Sequence, residues 1–247
     1  MKKAVIRCLA DLDYSGAEAL NTICSNLSFA GRDLKKIVMT SCTADDGKSF
    51  MAMHTMRNLA KRGRRVVLVD ADLRRSYLVR KYDIETDDEW RGLAHYLAGY
   101  CGIDDVLYET DLDGACIVPA GRDVTNPVPL LDTPYFATLL DQLVEQFDTV
   151  LVDAPPVGLV IDAAEIARSC DGVVFVVEYN KTRRRELMDA KHQMKQAGCP
   201  ILGCVINKVS FDSLSAKKYY NKSYYSHYNS EYYLKPDYHN GQSDKAE

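Results

Sequence analysis

Six short apolar runs recur along the chain, and helical stretches separate most of them. The runs cover residues 37–40, 66–69, 115–118, 150–152, 173–177 and 201–206. Because each run is continuous rather than alternating, it is typical of a buried strand covered on both faces. Helical stretches follow at 49–61, 134–146, 162–169 and 184–196. This order predicts an α/β fold with a doubly wound, mostly parallel sheet in three layers.

The composition divides the 247 residues into three parts. A helical stretch at 15–29 precedes the first core strand, so we expect residues 1–35 to pack on the outside of the domain. Residues 36–211 form the expected core domain. Residues 212–247 contain no Val, Ile or Phe but half of the 16 tyrosines. Such a segment buries too little apolar surface to offset the entropy of ordering it, which predicts a flexible tail.

Charge and cysteine content exclude several functional classes. A net charge of −4 offers no broad cationic face, so nucleic acid is not an expected partner. Eight cysteines without a C-x-x-C pair indicate reduced thiols, mostly in the core, rather than disulfides or a zinc site. No apolar stretch at the N-terminus reaches the length of a signal peptide or membrane span. We therefore expect a cytoplasmic protein that reaches a membrane only through a partner.

The first core strand leads into a loop that ends in Gly47, Lys48 and Ser49, followed by a helix. This order is typical of a phosphate loop, whose backbone N–H groups point at phosphate oxygens. Lys48 would then contact the β- and γ-phosphates of ATP, and Ser49 would coordinate Mg²⁺. The expected nucleotide contacts are Thr43, Ala44, Asp45, Asp46, Gly47, Lys48, Ser49 and Phe50. Cys42 replaces the first glycine of the general pattern.

Two later strands end in carboxylates. Asp70 and Asp72 follow one strand, and Asp153 ends another. Ligands of an open parallel sheet lie at the carboxyl ends of the strands, where these acids would meet the phosphate loop. Together they predict a site for a nucleotide with Mg²⁺. The alternative is that each aspartate only caps a turn or a helix.

These motifs together resemble those of the bacterial protein-tyrosine kinases of capsule and exopolysaccharide synthesis. The resemblance rests on Thr40, Ser41, Gly47, Lys48 and Ser49 in the first box, Asp70, Asp72 and Arg74 in an Asp-x-Asp-x-Arg box, and Asp153 and Pro156 in an Asp-x-x-Pro box. It also covers residues 92–99, 119–121, 126–127 and the tyrosine-rich tail, and so nearly the whole chain.

The resemblance implies roles for the site residues. Lys48, Asp70, Asp72 and Asp153 are the expected catalytic residues, with Ser49, Asp70 and Asp153 on the metal. Either Asp70 or Asp72 accepts the tyrosine proton. Arg74 either orients this acid pair or is a plain surface residue. Asn207 is either an adenine contact or only a polar strand end.

The tail supplies the implied phosphate acceptors in a reaction between copies of the chain. The expected sites are Tyr219, Tyr220, Tyr224, Tyr225, Tyr228, Tyr232, Tyr233 and Tyr238. The implied partners are a membrane-embedded regulator of polysaccharide chain length, which recruits and activates the kinase at the inner face of the membrane, and further copies of the chain. Sugar-nucleotide enzymes or glycosyltransferases are the implied external substrates.

The chain departs from the family pattern at two places. Ala44, Asp45 and Asp46 replace the usual Pro-Gly-Glu, and the charge of Asp45 should weaken nucleotide binding, so we expect Asp45→Gly to tighten it. The family's Glu-x-x-Arg-x-x-Arg contact for ring assembly is incomplete, because Asn21 and Cys24 follow Glu18 in place of both arginines.

Two other functions are compatible with the same fold. A septum-placement or plasmid-partition ATPase would resemble Lys-Gly-Gly-x-Gly-Lys at the loop, but its first lysine falls on Thr43. The other alternative is an adaptor protein that binds a nucleotide but catalyses no reaction.

Overall fold

The computed structural model describes residues 1–31 and 33–209. In chain order the strands are β1 (Lys2–Lys3), β2 (Val5–Ile6), β3 (Lys36–Ser41), β4 (Val66–Asp70), β5 (Ile84–Glu85), β6 (Tyr108–Glu109), β7 (Ala115–Val118), β8 (Thr149–Asp153), β9 (Gly172–Glu178) and β10 (Ile201–Asn207). The α-helices are α1 (Tyr14–Ala30), α2 (Lys48–Lys61), α3 (Leu78–Lys81), α4 (Leu93–Leu97), α5 (Val128–Leu131), α6 (Pro134–Gln146), α7 (Asp162–Ala167) and α8 (Arg184–Gln196). A 3₁₀ turn spans Ile103–Asp105.

Eight of the strands form one sheet in the order β1-β6-β7-β4-β8-β3-β9-β10. All neighbours are parallel except β6 and β7. The predicted doubly wound, mostly parallel sheet is therefore confirmed. The strand that leads into the phosphate loop, β3, lies between β8 and β9. On the β8 side, β8 and then β4 are its neighbours in the sheet, and these two strands carry the predicted metal-binding acids.

Both faces of the sheet are buried, which explains why the strands read as continuous apolar runs. Val38, Val150 and Val152 face a core that includes α4, α6, α7 and α8. Ile37, Met39 and Leu151 face a second core that includes α2 and residues of α1. Because successive side chains of a strand point to opposite faces, each strand contributes to both cores. The result is the expected three-layer arrangement.

The four helices predicted after the first core strand are present within two residues at each end. The helical stretch predicted at 15–29 is present as α1, within one residue at each end. Residues 201–206 were predicted to form a buried strand, and for the part of the chain that the structure describes the predicted burial is wrong. β10 pairs only with β9, and every residue along it is partly or fully exposed. An apolar run does not reveal whether its strand lies inside a sheet or at its edge.

The short strands near the N-terminus were not predicted. β1 extends the main sheet by pairing with β6, and β2 pairs with β5 in a separate two-stranded sheet. Two-residue strands are too short for a periodicity in the sequence to mark them.

All eight cysteines are free, and five of them are buried, as expected for core thiols. Among the described residues, no helix is both long and apolar enough to span a lipid bilayer. The predicted tail, and with it every predicted phosphate acceptor, lies outside the described residues.

Candidate active site

Three neighbouring strand ends build the site. β4 and β8 pair in parallel so that Asp70 lies opposite Asp153, and β8 pairs in turn with β3, which places Met39 opposite Asp153. The phosphate loop leaves β3 two residues beyond Met39, after Ser41. The three sequence motifs therefore meet at one edge of the sheet, although Lys48 and Asp153 are 105 positions apart.

The phosphate loop is fixed by contacts within itself and by the last strand. The buried carboxylate of Asp46 accepts hydrogen bonds from the backbone N–H of Thr43 (3.0 Å) and from its hydroxyl (2.8 Å). Gly47 precedes α2 with φ +97°, and a Cβ there would lie 2.0 Å from Nδ2 of Asn207. Only glycine fits this position.

Asn207 lies against the phosphate loop. Its Nδ2 donates to the carbonyl oxygen of Asp46 at 3.0 Å. Asn207 is therefore more than a polar strand end, because its side chain binds the phosphate loop. Its contact with adenine stays a prediction.

Lys181, which the sequence did not single out, also contacts the loop. Its Nζ donates to the carbonyl oxygen of Ala44 (3.3 Å) and lies 3.8 Å from the carboxylate of Asp46, while it pairs with Glu178 at 2.8 Å. A lysine in a turn between a strand and a helix carries no motif, so the sequence offers no signal for it. The contact places a positive charge next to a loop that carries two aspartates.

Lys48 lies at the centre of the acids. Its Nζ is 3.1 Å from Oδ2 of Asp72, 3.3 Å from Oδ1 of Asp153 and 3.3 Å from the hydroxyl of Ser49. Asp70 and Asp153 are each only 1% exposed, whereas Asp72 is 9% exposed. The structure thus brings together Lys48, Ser49 and the three predicted acids, with Asp72 as the outermost carboxylate.

Burial and mutual repulsion perturb these groups strongly. Burial raises the pKa of Asp70 to about 7, and the charge of Asp153 adds to the rise, against the opposing effects of Ser76 and Lys48. Burial also raises the pKa of Asp153, although Lys48 and Ser49 oppose that rise. For Lys48, burial lowers the pKa, but the carboxylates of Asp153, Asp72 and Asp70 outweigh it, so the pKa lies above the ordinary value. Such perturbed, clustered groups are typical of functional sites.

The turn after β4 donates hydrogen bonds to the carboxylates of Asp70 and Asp72. Oδ2 of Asp70 accepts a short hydrogen bond from the hydroxyl of Ser76, and Oδ1 accepts one from the backbone N–H of Asp72. The backbone N–H of Arg75 donates in turn to Asp72 at 3.3 Å. Ser76 is a second residue that the sequence did not reveal, because a serine two residues past a motif is unremarkable.

Arg74 is not a plain surface residue, and among the described residues its guanidinium does not hydrogen-bond Asp70 or Asp72, so its orienting of that pair stays a prediction. Its guanidinium makes two hydrogen bonds, of 2.6 and 2.9 Å, to the buried carboxylate of Asp162 at the start of α7. A third reaches the carbonyl oxygen of Thr125. The strongest partner of a planar guanidinium is a carboxylate that it can bind with two donors, and Asp162 offers that geometry.

The remaining predicted nucleotide contacts lie at the tip of the phosphate loop and in the first turn of α2. Ala44 and Asp45 are exposed at its tip, and Asp45 has φ +63°, in the left-handed region. Phe50, in the first turn of α2, places its ring 4.2 Å from that of His54 and packs against the second core, so its side chain contributes to packing.

The backbone of a later segment also approaches the phosphate loop closely, and the sequence did not predict this contact. A Cβ on Gly158, in the segment after Asp153, would lie 2.2 Å from the carbonyl oxygen of Cys42. The segment that follows β8 therefore packs directly against the phosphate loop.

Comparison with known proteins identifies the family of this chain. A family model described as an AAA domain matches residues 34–194. The tyrosine-protein kinase CpsD of Streptococcus agalactiae is 35% identical over 193 residues, which cover 78% of this chain and 82% of that protein. This chain belongs to the bacterial tyrosine-protein kinase family of capsule and exopolysaccharide synthesis. CpsD of Streptococcus pneumoniae serotype 4 is 31% identical, with 82% of this kinase and 87% of that protein covered.

Solved structures agree on fold and family. The kinase domain of the Escherichia coli tyrosine kinase ETK superposes with a TM-score of 0.72 at 29% identity, covering 81% of this kinase and 79% of that chain. The septum site-determining protein MinD of Pyrococcus horikoshii, complexed with Mg-ADP, reaches a TM-score of 0.60 at 26% identity, covering 70% and 69%. The chain is thus a protein-tyrosine kinase with a P-loop NTPase fold, a fold that binds nucleotides with Mg²⁺, and the septum-placement alternative is not favoured.

Proposed function

We propose that this kinase transfers the γ-phosphoryl group of ATP to tyrosines of its own tail, at the edge where Lys48 meets Asp72 and Asp153. The observation that carries the proposal is the placement of the Lys48 Nζ 3.1 and 3.3 Å from these two carboxylates, which come from different strands. Phosphoryl transfer requires positioned groups that neutralise developing charge more than it requires covalent chemistry by the protein.

The residues fit a nucleotide with its metal. A glycine-bounded loop before α2, a lysine and a serine supply the phosphate contacts. No three His, Cys, Asp or Glu side chains of the described residues are grouped to hold a metal alone. Mg²⁺ commonly uses one or two carboxylates together with phosphate oxygens and water, and we assign Ser49, Asp70 and Asp153 to it, directly or through water. The bound ion would neutralise charge on the transferring group.

Asp72 is our choice for the group that accepts the tyrosine proton. It is the most exposed of the three acids, and it is the one that Lys48 holds most closely. When Lys48 turns to the β- and γ-phosphates, Asp72 would lose its ion pair and its carboxylate would be free to accept the proton. Nucleotide binding would thus activate the base, and the kinase would not deprotonate tyrosine without its phosphate donor.

The acceptors we propose are the eight tail tyrosines, reached in the active site of a neighbouring copy. Each phosphate adds about −1.5 to −2 charges to the tail, so accumulated phosphates would loosen an assembly of copies. Sugar-nucleotide enzymes or glycosyltransferases remain the proposed external substrates.

We further propose that a membrane-embedded regulator of polysaccharide chain length recruits and activates the kinase from the cytoplasmic side. Leu159 and Ile161, in the segment after Asp153, are 62% and 51% exposed. Apolar side chains beside a functional site are typical of a docking surface. One solved structure of similar fold is the chimerical protein CapA2B2, with a TM-score of 0.72 at 25% identity, covering 85% of this chain and 94% of that one.

A mixing experiment tests transfer between copies. Full-length Lys48→Met protein, carrying a tag that shifts its mass, is incubated with wild-type protein, ATP and Mg²⁺, with and without a candidate activator peptide. Mass spectrometry should find phosphotyrosine at positions 219–238 of the tagged Lys48→Met chain, and none when that chain is incubated alone. A tail that stays unmodified while the wild-type protein phosphorylates another substrate would refute the assignment of the acceptors.

A further inference from the structure

A concave site lies outside the cluster of active-site residues. It has a volume of about 300 Å³ and is lined by Glu89, Arg91, His95, Tyr100 and Arg122. We call it the arginine pocket. None of these residues belongs to the phosphate loop or the acid cluster.

The segment that follows β7 connects the arginine pocket to the catalytic edge. Arg122 lies in the segment that follows β7, the strand that pairs in parallel with β4. Two residues after Arg122, the backbone N–H of Val124 donates to the carbonyl oxygen of Leu73 at 2.8 Å, next to Asp72. A peptide that presents a tyrosine to the acids would therefore pass close to the pocket.

Two glycines fix the shape of the pocket. A Cβ on Gly92 would lie 2.3 Å from the carbonyl oxygen of Pro119, and one on Gly121, at φ +87°, would lie 2.8 Å from Nδ1 of His95. Only glycine allows the segments at 92–95 and 119–122 to approach this closely. The two walls are thus held together by backbone contact rather than by flexible side chains.

The lining groups favour an anion. The backbone N–H of Gly92 donates to Nδ1 of His95 at 3.1 Å, so the neutral ring carries its proton on Nε2 and is a donor there. Arg91 pairs with Glu89 at 3.1 Å. Arg122 is exposed and makes no hydrogen bond or ion pair to any other described residue. The pocket therefore holds two guanidinium groups and an imidazole donor against one carboxylate.

We propose that the arginine pocket binds the phosphoryl group of a phosphotyrosine in the tail of a neighbouring copy. Guanidinium groups bind phosphate oxygens in pairs, and the ring of Tyr100, 72% exposed, can pack against an aromatic side chain. Tail tyrosines recur every four residues at 220, 224, 228 and 232. A tail that has received one phosphate would be retained beside the acids while another tyrosine is offered. This inference rests on the proposed tail phosphorylation.

Binding can be measured without catalysis. The full-length, dephosphorylated Lys48→Met protein is titrated into a labelled peptide of residues 218–230 carrying phosphotyrosine at 224, with fluorescence anisotropy as the readout. The unphosphorylated peptide, a phosphoserine version and inorganic phosphate are the comparison ligands. Because charge-assisted hydrogen bonds are strong, Arg122→Gln should weaken phosphopeptide binding about tenfold. Arg64→Gln, the same charge change on an exposed residue just before β4 and so at the opposite edge of the sheet, should leave it within about twofold.

The outcomes decide the proposal. Equal binding of phosphorylated and unphosphorylated peptides, or equal losses in the two variants, would overturn the site. Inorganic phosphate or phosphoserine that competes as well as phosphotyrosine would reduce it to an unselective anion site and overturn the assignment to phosphotyrosine.

A kinetic arm separates this inference from the proposed function. The wild-type kinase should have a lower KM for the singly phosphorylated peptide than for the unmodified one, and Arg122→Gln should abolish that ratio while Arg64→Gln keeps it. If the wild-type kinase modifies neither peptide, the tail is not the substrate, and the anisotropy result still decides whether the pocket binds phosphotyrosine.

Discussion

At the scale of residues, the site is a cluster of buried charges in which one ammonium group balances three carboxylates. Lys48 contacts Asp72 and Asp153 directly, and Asp70 relies on hydrogen bonds from its own turn. The balance is incomplete, because the pKa of Asp70 remains raised to about 7. A site with an excess of negative charge is suited to a metal ion, whose binding relieves the repulsion.

The raised pKa of Asp70 predicts a stability that depends on pH. The folded protein keeps the Asp70 proton up to about pH 7, whereas the unfolded chain releases it near the ordinary value of 3.8. Between these values the folded state binds more protons, so this group's contribution to stability falls as pH rises. Without nucleotide or Mg²⁺, Asp70→Asn should therefore raise the free energy of unfolding at pH 8 by on the order of 2 kcal/mol relative to wild type, and far less at pH 5.

Urea denaturation at both pH values measures this difference. Asp148→Asn, an exposed acid at the opposite edge of the sheet, is the control. A difference between Asp70→Asn and wild type that is the same at pH 5 and pH 8 would show that Asp70 is not the titrating group.

Lys181 should act on nucleotide affinity rather than on the chemical step. It holds the tip of the phosphate loop through the carbonyl of Ala44 and offsets the charge of Asp46. Because it is a partly exposed contact, Lys181→Met should raise the KM for ATP only about threefold to fivefold, with kcat nearly unchanged. Lys191→Met, also exposed but on α8, should change neither constant. A fall in kcat at constant KM would contradict this role.

At the scale of elements, the site depends on how the turns after the strands are braced. The turn after β4 carries Asp72 and Arg74, and the paired hydrogen bonds from Arg74 to Asp162 join it to α7. In the segment after β8, Gly158 packs against the phosphate loop at the same edge of the sheet. The catalytic side chains therefore project from turns that are fixed to each other, not only from the sheet.

Removing Arg74 should loosen this brace. Arg74→Gln leaves the buried carboxylate of Asp162 without its partner, which should lower the free energy of unfolding by about 2 kcal/mol. Asp162→Asn in the same chain should restore part of that loss, because no unpaired charge then remains. A double-mutant cycle by chemical denaturation measures the coupling. Strictly additive losses would mean that the pair does not stabilise the turn.

At the scale of the whole molecule, the interior face of α1 is occupied by packing against its own domain. Cys24 is fully buried, and the side chain of Asn21 accepts hydrogen bonds from Asn58 and Arg62 of the same chain. Both positions where the family pattern places arginines thus contribute to packing within the domain. We therefore expect the proposed exchange of tails between copies to use a different surface from that contact.

Restoring one of the missing arginines should therefore harm the fold. Cys24→Arg would place an unpaired charge and extra volume in a full core, and we expect it to lower the free energy of unfolding by about 3 kcal/mol or more. Thr22→Arg, at an exposed position of the same helix, is the matched control and should be tolerated. Folded Cys24→Arg protein that sediments as a larger assembly than wild type would contradict this view.

The sequence predicted the sheet and most of the active site because those depend on local patterns. Apolar runs marked the strands, and Gly-Lys-Ser and the strand-terminal acids marked the site, since side chains at the carboxyl ends of parallel strands must share one edge. The partner of Arg74 could not be found this way, because Asp162 is 88 positions away. The roles of Ser76 and Lys181 had no marker either, since both act through single contacts made by folded turns.

By itself, then, the sequence determined the α/β layering, the phosphate loop and the identity of the acids, because periodicity and short motifs are properties of neighbouring residues. Only the tertiary structure decided the strand order, the edge position of β10, the pairing of Arg74 and the arginine pocket. Each of these depends on which segments approach one another in space, and a hydrogen bond or a close glycine contact between distant residues leaves no periodic trace in the chain.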